Sequence, residues 1–281
     1  MPVFLPALFL KSRLSAIHYL SQLIRHYRIS TWIDVLHSPF VFGLYNSCIK
    51  KEIPHDESFA AIEQIRRKYQ NNNKEITFTD FGASAAEKGA VRSMRINQIA
   101  KNHLKPARIA RILFHLIREL KPKNCIELGS SLGITSAYLA SALKQNKAGE
   151  LISIDACKPV IEIANETIQH CQLNDVVEFR YGTFEDQLEP VLQEMQQVDF
   201  CYIDGNHAYE ATVNYFKQLL PHCHEKSILV FDDLYWSKGM QKAWEEIISH
   251  DQVTVSINLF FIGLVFFKKG QAKEHFRLRV W

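Results

Sequence analysis

Three carboxylates and one histidine stand directly after two apolar runs in the second half of the chain. Asp204 and His207 follow the first run, and Asp232 and Asp233 follow the second. Three like charges packed together are unfavourable unless a cation or a buried proton offsets them. Because carboxylate oxygens suit Mg²⁺ or Ca²⁺, the pattern predicts a metal site at Asp204, Asp232 and Asp233, or a metal-free site that only orients a substrate. His207 is a candidate base, with a helix cap or a core histidine as the alternative.

A second candidate site is the glycine-rich turn that follows the apolar run Cys125–Leu128. The turn reads E-x-G-x-x-x-G, and its defining positions are Glu127, Gly129 and Gly133. Glycine lets a backbone approach a ligand closely, and the unpaired N–H groups at a helix start suit an anionic group. A dinucleotide-binding turn reads G-x-G-x-x-G, so the spacing argues against a nicotinamide cofactor.

Strands and helices must alternate along the second half of the chain to position these residues. Apolar runs predict strands at Cys125–Leu128, Leu151–Asp155, Val176–Tyr181, Val198–Ile203, Ser227–Phe231, Val253–Ile257 and Phe260–Phe267. Helices are predicted at Pro159–Cys171, Phe184–Met195, Ala208–Leu220 and Lys238–Ser249. This alternation predicts an α/β fold with a doubly wound, mostly parallel, seven-stranded sheet, whose last two strands form an antiparallel hairpin. Ligands of such sheets lie beyond the carboxyl ends of the strands, where both candidate sites fall.

The glycine turn resembles motif I of the class I S-adenosylmethionine-dependent methyltransferases. In that family an acidic residue ends the first strand, and the glycine loop wraps the methionine and ribose of the cofactor. Asp155 ends the next predicted strand, about 20 to 30 residues on, where a carboxylate can accept both ribose hydroxyls. A cap on the following helix is the alternative role for Asp155. The resemblance implies that S-adenosyl-L-methionine is held by Glu127, Gly129, Ser130, Gly133, Ser136, Asp155, Ala156, Thr183, Phe184 and Asp204.

The acidic residues resemble those of the small metal-dependent O-methyltransferases, the catechol and caffeoyl-CoA type. Asp204, Asp232 and Asp233 stand where that group carries its Asp, Asp and Asn metal ligands. Asp233 replaces the asparagine, and His207 stands where the catechol group places a lysine base. The D-G-x-H-x-Y-E run that begins at Asp204 is similar to a related bacterial branch. The resemblance, which covers about Pro106 to Phe267, implies O-methylation of a small molecule in which His207 and Asp204 take part in catalysis.

Residues 1–104 are predicted to be a helical extension or lid, and residues 105–281 the methyltransferase domain. We expect the extension to cover the substrate side of the core or to form a homodimer contact. Small residues between Phe78 and Ala90 suggest a mobile loop that closes over a ligand. Val3–Leu10 is too short to span a bilayer, and the six cysteines form no C-x-x-C pair, so we expect a cytoplasmic protein with reduced thiols and no membrane partner.

Three other function classes fit the sequence less well. A nucleic-acid methyltransferase would use the basic residues between Lys88 and Arg111, but a solvated helix face explains them better and no N-P-P-Y run is present. The net charge of +3 demands no nucleic-acid partner. A nicotinamide-dependent oxidoreductase conflicts with the glycine spacing. A non-catalytic nucleotide-binding module conflicts with an intact motif I beside an acidic cluster.

Overall fold

The N-terminal part of the chain is mostly helical but also contains a small sheet. The computed structural model describes residues 13–33, 36–50, 57–80 and 89–280. The first elements are helices α1 (Arg13–Ile29), α2 (Pro39–Leu44) and α3 (Glu57–Gln70), strands β1 (Glu75–Asp80) and β2 (Ala90–Arg95), and helix α4 (Ile96–Asn102). The side chain of Ser38 caps α2, which continues into a π-helical turn at Tyr45–Ile49. β1 and β2 pair antiparallel as a separate two-stranded sheet.

The centre of the molecule is an eight-stranded sheet. Its strands are β3 (Asn124–Leu128), β4 (Glu150–Asp155), β5 (Val177–Tyr181), β6 (Val198–Ile203), β7 (Cys223–Asp232), β8 (Val255–Asn258), β9 (Ile262–Phe266) and β10 (Glu274–Arg277). The strand order is β10-β8-β9-β7-β6-β3-β4-β5. β9 runs antiparallel to its neighbours β7 and β8, whereas the other neighbouring strands pair in parallel.

Helices cover both faces of this sheet. They are α5 (Ala107–Leu120), α6 (Ile134–Asn146), α7 (Lys158–His170), α8 (Phe184–Met195), α9 (Tyr209–Leu219) and α10 (Lys238–Ser249). Apolar residues of α5, α6 and α7 pack in one core cluster, and those of α8, α9 and α10 pack in the other. Because successive strand residues point to opposite faces, Cys125 joins the first cluster while Ile126 and Leu128 join the second.

The predicted α/β class and the antiparallel hairpin are confirmed, but the strand count is wrong. The additional strand is β10, a short and partly exposed edge strand beside β8. It escaped prediction because it is polar, and polar edge strands lack the apolar run that marks a buried one. The basic segment from Lys88 to Arg111 is not one helix face, since its described part forms β2, α4 and the start of α5, and Lys105 turns inward.

Several expectations fall wholly or partly outside the described residues. These include the apolar run Val3–Leu10 and most of the predicted mobile loop, residues 81–88. The domain boundary at residue 104 stays a prediction, although apolar residues of α3 and α5 pack in one common cluster across it. None of the six cysteines, all within the described ranges, is in a disulfide. No helix in the described part of the chain has the length and apolarity needed to cross a bilayer.

Candidate active site

The glycine turn between β3 and α6 packs against the end of β6. Gly129 has a φ of +106°, and a Cβ on it would clash with the carbonyl oxygen of Asp204 and lie 3.1 Å from the carbonyl carbon. Gly133 has a φ of +75°, and a Cβ there would lie 2.8 Å from Cα of Ala164. The sequence interpretation reserved this space for a ligand, whereas the protein's own backbone fills it. The close approach of Gly129 to the Asp204 carbonyl places the turn directly beside the first residue of the acidic cluster.

Glu127 is fully buried below the turn and is held by serine hydroxyls. Oε2 accepts hydrogen bonds from Ser136 and, at 2.6 Å, from Ser153. The hydroxyls of Ser130 and Ser153 are 2.7 Å apart. Burial raises the pKa of Glu127 to about 8 although the two hydroxyl donors oppose the shift, so the side chain is mostly protonated at neutral pH. Ser136 thus contacts Glu127 directly, and Ser130 is linked to it through Ser153.

Asp155 joins the glycine turn to the start of the helix that follows β4. Its carboxylate accepts the N–H of Ser131 at 3.1 Å and the N–H of Cys157, which lies just beyond Ala156, at 2.9 Å. Burial raises the pKa of Asp155 to about 6 against the lowering effect of these backbone donors. The contact with Cys157 is structural, but it is not the helix cap considered above, because Cys157 itself is the N-cap residue of α7 and no side chain caps that helix. The side chain remains partly exposed at the edge of the sheet, where the predicted ribose contact requires it.

The glycine turn, Asp155, Thr183, Phe184 and Asp204 border one region at the carboxyl ends of the strands, the crevice. The hydroxyl of Thr183 accepts the N–H of Asp186 at 3.2 Å and so caps α8. Phe184 covers Gly205 and meets the ring of Tyr215 edge-on at 5.6 Å. The adenine contact predicted for Thr183 and Phe184 stays a prediction.

The crevice holds buried polar atoms that have no hydrogen-bond partner within the described part of the chain. They include Oε1 of Glu127, the hydroxyl of Ser131 and Oδ1 of Asn206. Unpartnered buried polar atoms are costly, so they indicate a missing ligand or water. Their position around the glycine turn fits a ligand that carries amino and hydroxyl groups, as S-adenosylmethionine does.

The structure brings the predicted acidic residues and His207 together. Ligand atoms of Asp204, His207, Asp232 and Asp233 all lie within 4.8 Å of one another. Asp233 adopts a φ of +52°, and its N–H is bonded to the carbonyl oxygen of Phe261 at 2.8 Å. This backbone conformation at the end of β7 turns two successive carboxylates toward one point.

The ammonium group of Lys105 lies among the three carboxylates. Its Nζ is 3.0 Å from Oδ1 of Asp204 and 3.4 Å from Oδ2 of Asp233, and it forms an ion pair with Asp232. Burial opposes the charge on Lys105, but the three carboxylates outweigh it and hold its pKa well above the ordinary value. Burial raises the pKa of Asp232. Burial acts on Asp233 in the same direction, but Lys105 and His207 outweigh it and lower the pKa of Asp233.

His207 lies at the edge of this cluster. Its Nε2 is 3.6 Å from Oδ1 of Asp204 and 3.7 Å from Oδ2 of Asp233, beyond normal hydrogen-bond distance. Burial lowers the pKa of His207 although both carboxylates oppose the shift. The imidazole is therefore neutral at pH 7 and able to accept a proton.

Sequence reasoning missed three residues of the cluster. Lys105 comes from the loop before α5, and Tyr202, which ends no motif, donates from β6 to Asp232 at 3.0 Å. Tyr19 of α1 is buried, and burial together with the nearby charges of Asp233 and Asp232 raises its pKa. Only the position of Lys105 directly before a proline marked it in the sequence, because the residue before proline is restricted to extended conformations.

The donor types suit a divalent metal, but the space among them does not. Three carboxylates and an imidazole are ligands that Mg²⁺ or Mn²⁺ accepts. The ammonium of Lys105 stands where such an ion would have to contact all three carboxylates. A divalent ion and this ammonium do not fit among the same oxygens together.

Comparison with known proteins finds similarity to methyltransferases. A family model described as "Methyltransferase domain" matches residues 126–234. Caffeoyl-CoA O-methyltransferase 1 of Eucalyptus globulus is 24% identical over 124 residues, which cover 43% of this chain and 49% of the plant protein. The Eucalyptus gunnii enzyme matches at the same identity over 43% of this chain and 48% of its own length. The chain thus spans about half the length of these relatives.

Solved structures extend the similarity to most of the chain. An O-methyltransferase from Bacillus cereus in complex with SAH has a TM-score of 0.54 at 19% identity, covering 76% of this chain and 93% of the other. The O-methyltransferase TomG from Streptomyces achromogenes, in complex with SAM and involved in tomaymycin synthesis, has a TM-score of 0.55 at 17% identity, covering 77% and 92%. At these identities the likeness establishes a common fold.

Proposed function

We propose that this chain, whose residues 126–234 match a methyltransferase domain model, is a class I S-adenosylmethionine-dependent enzyme that transfers a methyl group to an oxygen of a small molecule. One observation supports this proposal most strongly. The glycine turn touches the backbone of Asp204, so a cofactor held at the turn lies next to an acid–base cluster. The O-methyltransferase names of the relatives favour oxygen as the acceptor atom.

Each residue of the crevice has a role in this proposal. Bound S-adenosylmethionine would supply an electrophilic methyl group on its sulfonium. Asp155 would accept the ribose hydroxyls, and the unpartnered oxygens of Glu127 and Ser131 would meet its methionine end. His207, whose pKa is lowered by burial, would accept the proton of the acceptor hydroxyl as a general base. Thr183 and Phe184 would border the adenine.

The rest of the proposal concerns the acceptor and its surroundings. Tyr19 of the buried α1 face lies near the carboxylates, so α1 would form one wall of the acceptor site. The acceptor class that the comparisons favour is a hydroxylated aromatic compound, as the name caffeoyl-CoA O-methyltransferase suggests. A cytoplasmic location and a homodimer formed through the N-terminal helices also remain proposals.

Two matched substitutions test the assignment. We expect Asp155→Ala to lose S-adenosylmethionine binding by calorimetry, on the order of a hundredfold, because two hydrogen bonds to a charged group are removed. We expect Asp232→Ala to keep cofactor affinity and to lose methyl transfer from labelled cofactor to a panel of catechols and caffeoyl-CoA. Asp251→Ala, at an exposed position, is the control for loss of one carboxylate. Wild-type protein that binds no cofactor would contradict the proposal and favour a non-catalytic module.

A further inference from the structure

Lys105 is the cation at the centre of the acidic cluster. Its side chain is only 15% exposed, and its Nζ reaches Asp204 at 3.0 Å and Asp233 at 3.4 Å besides the ion pair with Asp232. An ammonium group has three N–H donors and no acceptor, which matches three surrounding carboxylates. Each carboxylate of the cluster therefore already has a positive partner within the protein.

The position of Lys105 is fixed by its neighbours as well as by the charges. Pro106 follows it directly and restricts its backbone. Nη1 of Arg66, on α3, donates to the carbonyl oxygen of Lys105 at 2.7 Å. Arg66 is held by Glu63 at 2.9 Å, and Glu63 accepts the hydroxyl of Tyr138 at 2.8 Å. These contacts fix the backbone of Lys105 so that its side chain points toward the cluster. A surface lysine that only folded inward would not need such support.

Electrostatics decides between this ammonium and a divalent ion. Two cations separated by a few ångströms in a partly buried site repel each other strongly, since the effective dielectric constant there is far below that of water. A divalent ion that contacts Asp204, Asp232 and Asp233 would have to displace Lys105 from all three. Displacement would leave the ammonium without its ion pairs in a largely buried place, which is costly.

We propose that the ammonium of Lys105 takes the place that a divalent metal would occupy among the three carboxylates, and that this methyltransferase neither binds nor requires a metal ion at its acidic cluster. The inference rests on the proposed function, because it concerns the same acceptor site. The ammonium screens the carboxylates so that the ionised acceptor oxygen can approach them. Removal of the acceptor proton is then left to His207, with no metal to acidify the hydroxyl.

Binding of Mn²⁺ alone, followed by electron paramagnetic resonance, tests this inference without any acceptor. We expect the wild-type protein to show no site-bound Mn²⁺ at millimolar concentration. Lys105→Ala should bind Mn²⁺ roughly tenfold or more tightly than wild type, because a repelling charge is gone and three carboxylates are exposed to the ion. The double variant Lys105→Ala with Asp232→Asn should lose this binding again. Wild-type protein that binds Mn²⁺ as tightly as Lys105→Ala overturns the inference.

A second measurement covers the case in which Lys105→Ala folds poorly. Without added metal, the thermal midpoint of Lys105→Met should be lower than that of the wild type. Addition of MnCl₂ should raise the midpoint of Lys105→Met and leave that of the wild type unchanged. Lys101→Ala, an exposed lysine of the preceding helix, is the control and should behave as wild type. Stabilisation of the wild type by Mn²⁺ that disappears in Asp232→Asn would contradict the inference.

Calorimetry with S-adenosylmethionine separates this inference from the proposed function. If the wild type binds the cofactor and also binds Mn²⁺ at Asp232, the function stands and the role of Lys105 is wrong. If the wild type binds neither, the role of Lys105 stands and the proposed methyltransferase activity is wrong. Unchanged methyl transfer by the wild type after EDTA treatment is the result expected when both are correct.

Discussion

Replacing Gly129 with alanine should lower the stability of the fold and weaken cofactor binding in the crevice. A non-glycine residue at a φ of +106° carries a backbone strain of about 1–2 kcal/mol. The new Cβ would also press on the Asp204 carbonyl, 3.1 Å from its carbon and closer to its oxygen. Overpacking against atoms that cannot rotate away costs about 1–3 kcal/mol. Together these effects predict a loss of about 4 kcal/mol.

Thermal denaturation measures this loss, and Gly270 provides a matched control. Gly270 has a φ of +73°, but a Cβ there would meet no atom within 4 Å, so only the backbone strain applies. At roughly 2–4 °C per kcal/mol for a protein of this size, Gly129→Ala should lower the midpoint by about 10 °C and Gly270→Ala by about 3 °C. Gly129→Ala should also weaken S-adenosylmethionine binding. Equal midpoints for the two variants would refute the packing role assigned to Gly129.

Two further predictions concern the neighbours of this turn. The pKa of Asp155 is raised to about 6. The affinity for S-adenosylmethionine should therefore be constant above pH 7 and should fall as the pH drops through 6, where the carboxylate becomes protonated. In Asp155→Asn, calorimetry should show a weak affinity that lacks this pH dependence. Arg66→Met removes the hydrogen-bond donor to the Lys105 carbonyl oxygen. Turnover of labelled cofactor should then fall on the order of tenfold while cofactor affinity stays unchanged. A loss of cofactor affinity instead would show that Arg66 only supports the fold.

The central sheet could be predicted because its strands are short apolar runs with turns between them. Helix Lys238–Ser249 and strand Val198–Ile203 were predicted with the bounds that the structure has. Residues that end these strands, such as Asp204 and Asp232, meet at one edge because parallel strands all point the same way. The sequence therefore located the acidic cluster, and the structure brings its four members within 4.8 Å.

The features that escaped prediction depend on contacts between residues far apart in the chain. Lys105 is separated from Asp232 by 127 residues, and apart from the proline that follows it nothing local distinguishes it from the other basic residues of its segment. Tyr19 comes near the carboxylates from α1, where its own ring packs against that of Phe260 at a centroid distance of 5.1 Å. Strand β10 has no apolar run, so its pairing with β8 follows from neighbours and not from its own composition.

The late position of β10 in the chain determines when α1, the proposed wall of the acceptor site, is attached to the sheet during synthesis. From its last residue onward, the chain is hydrogen-bonded to α1 and its surroundings: the N–H of Thr31 donates to the carbonyl oxygen of Arg277 at 2.8 Å, and the ring of His26 lies 3.1 Å from the carbonyl oxygen of Leu278. The hydroxyl of Tyr45 donates to the carbonyl of Arg279 at 2.5 Å. Ribosomes add roughly 5–20 residues per second, so α1 emerges before the central sheet and is fastened only when Leu278, 252 residues beyond His26, has been made. A nascent protein would complete the glycine turn well before the proposed wall that carries Tyr19.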